Sequence, residues 1–415
     1  MVVRRVLKRS SVALLASATL IACQANIGNG GGGKVVTDDS RLKVAVADEA
    51  VAKSSVKLNN AYVYTVGCDA DGFRDGRVYV YDDDSALYGF GVTNYSNLDT
   101  NCLSGDIHMV GDDIYMIERT FPSIKLVKYY KTFENRQVVA ELTDDASVED
   151  IVGRTATSVV SDGRLYYVIS VKPDGPIEDY MIVKRELRSV ALDGSDMKTH
   201  AVYDLPYAIL YDGPELVESD GKVYVCNPYR TKGSNGATVY AYDTDADKFE
   251  LVAENLVGGV YNRFTAGDGV VYFYESKNGT SVYKIDGGKA FFASKSGYYI
   301  KDVKAYDGDV YVLYARNEEY ANKASDATVL VRYDKFGVVT GEVNIGYTEE
   351  YIDSNMFYKE KNILNGYLPN DISIVGVEDG YVVIASSVAG YADPFEFGRL
   401  GAVDFAENVI IPVVE

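Results

Sequence analysis

The 415-residue chain contains no tryptophan, two histidines, four cysteines and nine prolines, and its 41 Lys and Arg are outnumbered by 61 Asp and Glu. Each shortage narrows the chemistry available. His108 and His200 alone are a thin supply of general bases near neutral pH, and with so few cysteines they form no zinc-type ligand spacing. The chain has no Ser-centred nucleophile elbow, no HExxH helix and no glycine loop of the kind that cradles phosphate, so an enzyme is not the first expectation and no cofactor is implied. A net charge of −20 repels a phosphate backbone and argues against nucleic-acid binding. No helix-period apolar segment of useful length occurs, which leaves an all-β class.

The N-terminus carries Arg4, Arg5, Lys8 and Arg9 and then an uncharged, largely apolar run from Val12 to Ala22, the layout of a secretory signal peptide. That run is about half the length of a spanning helix. It ends Leu20, Ile21, Ala22, Cys23, which resembles the lipobox of bacterial lipoproteins. The resemblance implies a signal peptide over 1–22, cleavage before Cys23 and acylation of that cysteine, palmitate included. Gln24 stands where an inner-membrane retention aspartate would, so the resemblance favours an outer membrane or cell surface. Gly28, Asn29 and Gly30 to Gly33 make 23–40 a flexible tether, with the folded domain expected over 41–415. Without the four basic residues of the leader, 37 basic face 61 acidic residues, a net charge of −24.

The folded part is repetitive. A tight-turn pair followed by alternating β-branched and aromatic residues recurs as Gly111-Asp112, Asp162-Gly163, Asp220-Gly221, Asp268-Gly269, Asp307-Gly308 and Asp379-Gly380, with a diverged first copy at Asn59-Asn60. Such pairs favour positive φ and start a strand. A second apolar-to-acidic signature follows each, as in Val78 to Asp82, Val239 to Asp243 and Leu330 to Asp334. Seven units of four antiparallel strands are the signature of a β-propeller with seven blades; tandem β-sandwiches are the alternative. The chain resembles the broad propeller superfamily of bacterial envelope proteins over about residues 53–414. Lacking tryptophan, it has none of the WD40, kelch, YWTD, sialidase Asp-box or quinoprotein signatures.

In an up-and-down blade, turns after strands one and three share one face and the connections after strands two and four share the other. The short turns populate the first face. The second is expected to bear long loops at 67–76, 119–123, 172–182, 227–236, 316–326 and 387–398, and an insertion at about 346–370 interrupts the last connection. These segments bring arginines and aromatics to one rim: Phe73, Arg74, Arg119, Phe121, Tyr229, Arg230, Arg316 and Arg399. Arginine beside aromatics grips carboxylates and aromatic groups of a partner, while solvated loop charge without a common target is the plainer reading.

Cys68 and Cys102 are close enough in sequence to pair in an oxidising compartment, leaving Cys226 alone, although spacing does not fix connectivity. Asp243, Asp245, Asp247 and Glu254 match the acidic positions of an EF-hand loop, but Lys248 stands where its glycine belongs, so a polar hairpin competes with calcium binding. The expectation is a lipid-anchored, non-enzymatic propeller that binds an envelope or surface protein. A carbohydrate-binding or glycan-cleaving protein using the central funnel is the alternative, and converging carboxylates would mark it.

Overall fold

A computed structural model describes residues 42–44, 58–66, 76–81, 87–92, 107–120, 123–132, 135–143, 158–171, 183–205, 214–230, 235–257, 262–275, 279–285, 288–316, 328–344, 371–390, 393–407 and 409–412. All regular structure among them is β, and it forms a β-propeller. Six sheets are four consecutive antiparallel strands. Ile107–Val110 (β5), Asp113–Thr120 (β6), Ser123–Tyr130 (β7) and Gln137–Glu141 (β8) form the first of these, and Val159–Ser161 (β9), Arg164–Ser170 (β10), Val183–Ala191 (β11) and Lys198–Leu205 (β12) the second. The third and fourth are Glu215–Ser219 (β13), Lys222–Arg230 (β14), Asn235–Asp243 (β15) and Lys248–Val257 (β16), then Asn262–Gly267 (β17), Val270–Glu275 (β18), Ser281–Ile285 (β19) and Lys289–Ser294 (β20). Tyr298–Tyr306 (β21), Asp309–Arg316 (β22), Thr328–Asp334 (β23) and Val339–Asn344 (β24) precede the last, Asp371–Glu378 (β25), Tyr381–Gly390 (β26), Asp393–Asp404 (β27) and Val409–Pro412 (β28).

The remaining sheet departs from the expected regularity of seven identical units. Tyr62–Val66 (β2), Gly76–Tyr81 (β3) and Leu87–Val92 (β4) form a meander, and Leu42–Val44 (β1) pairs with β4 at its outer edge. Strand β2 follows the Asn59-Asn60 turn as β6 follows Gly111-Asp112, yet it forms the edge of its sheet and lies against β25 and β5, as the first strands of neighbouring sheets lie against one another elsewhere. Residues 51–57 lie outside the described residues.

The repeated turn has the geometry its sequence requires. Both residues of Asp162-Gly163, Asp220-Gly221, Asp268-Gly269, Asp307-Gly308 and Asp379-Gly380 have positive φ, between 48° and 84°. Two successive left-handed residues make the hairpin turn whose twist matches that of the strands, and Asp and Gly tolerate it best. The strand that follows is apolar on both faces because it lies between two neighbours. In β10, Leu165, Tyr167 and Ile169 pack with Tyr115, Ile117 and Leu126, while Tyr166 and Val168 pack with Val223 and Val225. Strand β22 repeats the division, with Val310, Val312 and Tyr314 meeting Tyr272 and Val282 on one side and Tyr311 and Leu313 meeting Val382 and Ile384 on the other. The core is thus a ring of layers between sheets.

The ring closes between the last sheet and the Asn59-Asn60 turn. At the end of β25, Glu378 Oε1 accepts the Asn59 backbone N–H, and Oε2 accepts the Asn60 N–H at 3.0 Å and the Tyr62 hydroxyl at 2.8 Å. Burial works to raise this carboxyl's pKa, and the three donors outweigh it and hold the pKa below the ordinary value. Ser219 has the same role immediately before Asp220-Gly221, its Oγ accepting the Gly269 N–H of the next sheet's turn at 2.9 Å. Tyr62 approaches so closely that a Cβ on Gly376 would lie 2.5 Å from its ring.

Candidate functional site

The second strands place several of the singled-out residues at one rim. Arg119 is the penultimate residue of β6, Tyr229 and Arg230 end β14, and Arg316 ends β22. Because these strands occupy the same place in their sheets, their ends share the face opposite the Asp-Gly turns. Three expected loops are mostly strand. Thr120 pairs with Ser123, which shortens the loop expected over 119–123 to 121–122. Arg230 pairs with Asn235, which shortens the loop expected over 227–236 to 231–234, and β26 and β27 remain paired as far as Gly390 and Asp393. Arg399 is therefore not a loop residue; it lies within β27, opposite Ser386. The difference has a simple origin, since Asn227, Pro228 and Gly236 read as loop residues although Asn227 is buried in β14. Phe73, Arg74, Phe121, Cys68, Cys102, Cys23 and the 346–370 insertion lie outside the described residues.

Arg185 gives no such signal in sequence. It is a fully buried side chain of β11 whose Nη1 donates to Asn227 Oδ1 of β14 at 3.0 Å, and the Tyr203 hydroxyl donates to the same oxygen at 3.1 Å. It bridges neighbouring sheets toward the loop-bearing side. Cys226, next to Asn227, is a free, buried thiol whose pKa is raised by burial and then by the Glu215 charge. Such a thiol is a poor nucleophile.

The four EF-hand positions do not converge. Asp243 ends β15 and accepts the Ala246 N–H, Asp247 adopts a φ of 49° in the turn and accepts the Tyr242 hydroxyl, and Glu254 lies well along β16. The segment is the polar hairpin turn. Among the described residues no group of three or more His, Cys, Asp or Glu is placed to hold a metal ion.

Both histidines meet a serine. His108 Nε2 is 2.8 Å from Ser158 Oγ, and His200 Nε2 is 2.7 Å from Ser189 Oγ with its Nδ1 3.7 Å from Asp247 Oδ1. The second set has the residue types of a nucleophilic triad, but its geometry is that of a packing contact. Ser189 is completely buried, and Arg164 Nε donates to its Oγ at 2.9 Å while also pairing with Asp196. His200 sits against Tyr166 and Tyr242, ring centroids 5.5 and 4.4 Å away, across two sheets. Desolvation lowers its pKa, with Asp247 opposing. A serine closed to substrate and already accepting from a guanidinium cannot attack a carbonyl. Incubation with a fluorophosphonate probe is therefore expected to leave Ser189 unmodified, with peptide mass spectrometry as the readout; labelling at Ser189 in the folded protein would contradict this geometry.

No family model matches the chain, and no curated protein does. Solved structures similar to it include a Pyrococcus horikoshii acylaminoacyl peptidase, at 13% identity and a TM-score of 0.46 over 87% of this chain and 51% of that one. A prolyl endopeptidase aligns at 11% identity and a TM-score of 0.48 over 88% and 50%. The β-propeller domain of the Trilobed protease from Pyrococcus furiosus aligns at 13% identity and a TM-score of 0.43 over 85% and 95%. The chain spans about half the length of the two peptidases. At such identities the likeness concerns fold and carries no chemistry across.

Proposed function

We propose that this protein is a lipid-anchored propeller outside the cytoplasm, with the β1-β4-β3-β2 sheet as its seventh blade, acting as a docking platform for an envelope or surface protein. The anchor rests on the basic and apolar leader, the Leu20-Ile21-Ala22-Cys23 sequence and the glycine-rich tether. The observation that carries the platform is the placement of Arg119, Arg230 and Arg316 at the ends of three second strands, on the connection-bearing rim of an acidic protein. Glycan cleavage is less well supported. Three carboxylates on innermost strands are occupied by backbone donors of the next strand or turn: Glu215 by Phe264, Asp302 by Ile374 and Glu378 by Asn59 and Asn60.

Pull-down and crosslinking from the native envelope test the platform, comparing wild type with a folded variant carrying Arg119→Glu, Arg230→Glu and Arg316→Glu. A defined protein recovered with wild type and lost with the variant is expected; identical recovery, or none, removes this rim as the docking face. Palmitate labelling of wild type but not of Cys23→Ala tests the anchor independently.

A further inference from the structure

We propose that the outer rim formed by β20 and the β23–β24 hairpin is a membrane-contact surface, which seats its aromatics in the interfacial region of an anionic bilayer. The proposal rests on the lipid-anchored reading above. Among the described residues the most exposed large hydrophobic side chain is Phe336, 75% exposed at the tip of the β23–β24 turn, with Val338 and Val339 beside it. Phe291, 62% exposed, lies on the neighbouring outer strand β20. The two elements touch, since a Cβ on Gly337 would lie 2.6 Å from the carbonyl oxygen of Phe292. Phe292 itself turns inward against Tyr272 and Tyr333.

The turn does not require an aromatic at its tip. Asp334 Oδ1 accepts the Phe336 and Val338 N–H groups, and Gly337 supplies the left-handed residue. The β11–β12 hairpin is built alike, with Asp193 accepting the Ser195 N–H and Gly194 seated on the Val139 carbonyl, yet its tip residues are Ser195 and Asp196. In the β27–β28 turn, Asp404 accepts the Ala406 and Glu407 N–H groups. Phe336 is thus a surplus apolar group at a position filled elsewhere by small or polar residues.

Charge points the same way. Residues 284–295 and 332–342 hold five Lys and Arg against three Asp and Glu. Lys295 pairs with Glu342 and Arg332 with Asp309 of β22, so with Asp309 counted the local excess is one positive charge in a chain of net −20. Lys335 lies 5.3 Å from the Phe336 ring, and Lys289 lies 3.8 Å from the Tyr283 ring that Phe291 meets edge-on. Lysine next to a protruding aromatic suits a headgroup layer, where the ring enters the acyl boundary and the ammonium meets phosphate.

The absence of tryptophan supplies the test. Full-length mature protein in which an N-terminal His tag replaces acylated Cys23 is held on nickel-chelating lipid in phosphatidylcholine–phosphatidylglycerol vesicles, carrying Phe336→Trp, Phe291→Trp or the control Val138→Trp. Val138 is exposed on β8, across the ring. Several-fold stronger quenching by brominated lipid at positions 336 and 291 than at 138 is expected, reduced by Lys289→Glu with Lys335→Glu. Equal quenching at all three, none at any, or quenching indifferent to the lysine reversals overturns the proposal, as does a protein partner crosslinking at position 336 in place of lipid. Because the chelating lipid replaces acylation, failure of palmitate labelling at Cys23 leaves this measurement intact.

Discussion

Glu378→Leu is expected to lower the stability of the propeller by about 3 kcal/mol. Leucine fills nearly the same volume but takes the acceptor from two backbone N–H groups and the Tyr62 hydroxyl. Asn59 and Asn60 are exposed and can turn to water, which is why the figure stays below the sum of three orphaned donors. Location raises the effect. Glu215 and Asp302 each accept one N–H between sheets that the chain also joins directly. Glu378 holds together segments more than 300 residues apart. Glu378→Ser, which copies Ser219, should recover a fraction of the loss by restoring one acceptor, and Tyr62→Phe should cost about 1 kcal/mol. Urea-unfolding midpoints measure all three. Hydrogen exchange should show β2–β4 and β25–β28 opening first. A Glu378→Leu protein within about 1 kcal/mol of wild type would show that closure rests on apolar packing instead, such as Leu58 and Tyr81 against Val383 and Leu400.

What is legible in the sequence divides by sequence separation. The Asp-Gly turns are local: two residues set the positive φ, the next few alternate, and five pairs from Asp162-Gly163 to Asp379-Gly380 have the expected conformation. The clasp at Glu378 has no local pattern, and nothing near Ser219 or Glu378 says that one position, just before the turn, does the same work in both. The loops expected at 227–236 and 387–398 are too long because Asn, Pro and Gly speak for local propensity, while pairing such as Asn227 with Thr238 and Gly390 with Asp393 overrides it. The acidic spacing of Asp243, Asp245 and Asp247 suggests a cation loop, yet polar turns in this protein use aspartate to hold their own backbone, as Asp334 and Asp404 do. The rim arginines are legible only as far as the ends of their strands. Phe336 is invisible as a surface feature because in sequence it is one aromatic among many in strands.

Acid should weaken the fold before any ordinary carboxylate titrates. His108, on the innermost strand β5, faces Ser158 beside the start of β9, and desolvation lowers its pKa from 6.5 to about 4. Above pH 6.5 both folded and unfolded states hold the imidazole neutral, and it contributes no pH dependence. As pH falls below 6.5 the unfolded chain binds a proton that the native state refuses, so stability declines until the native imidazole also protonates near pH 4. The full difference between the two values corresponds to roughly 3 kcal/mol, and the partial surface exposure of the residue admits enough solvent relaxation to set the expected loss at about 2 kcal/mol. His200, lowered by its own desolvation between Tyr166 and Tyr242 and facing Asp247, Arg164 and Lys198, adds in the same direction. The chain has only these two histidines, so the interval from about pH 6.5 to 4.5 belongs to them. Glu378, with its lowered pKa, contributes stability that is lost only at lower pH, as protonation releases the clasp. Urea midpoints at a series of pH values for wild type and His108→Gln separate the effects. The glutamine keeps a polar partner for Ser158 and cannot titrate, so its curve should be flatter by about 2 kcal/mol across that interval and then fall with wild type. Parallel curves would mean that His108 takes up its proton in the folded state as readily as in the unfolded one, and that the junction between β5 and β9 is open to water.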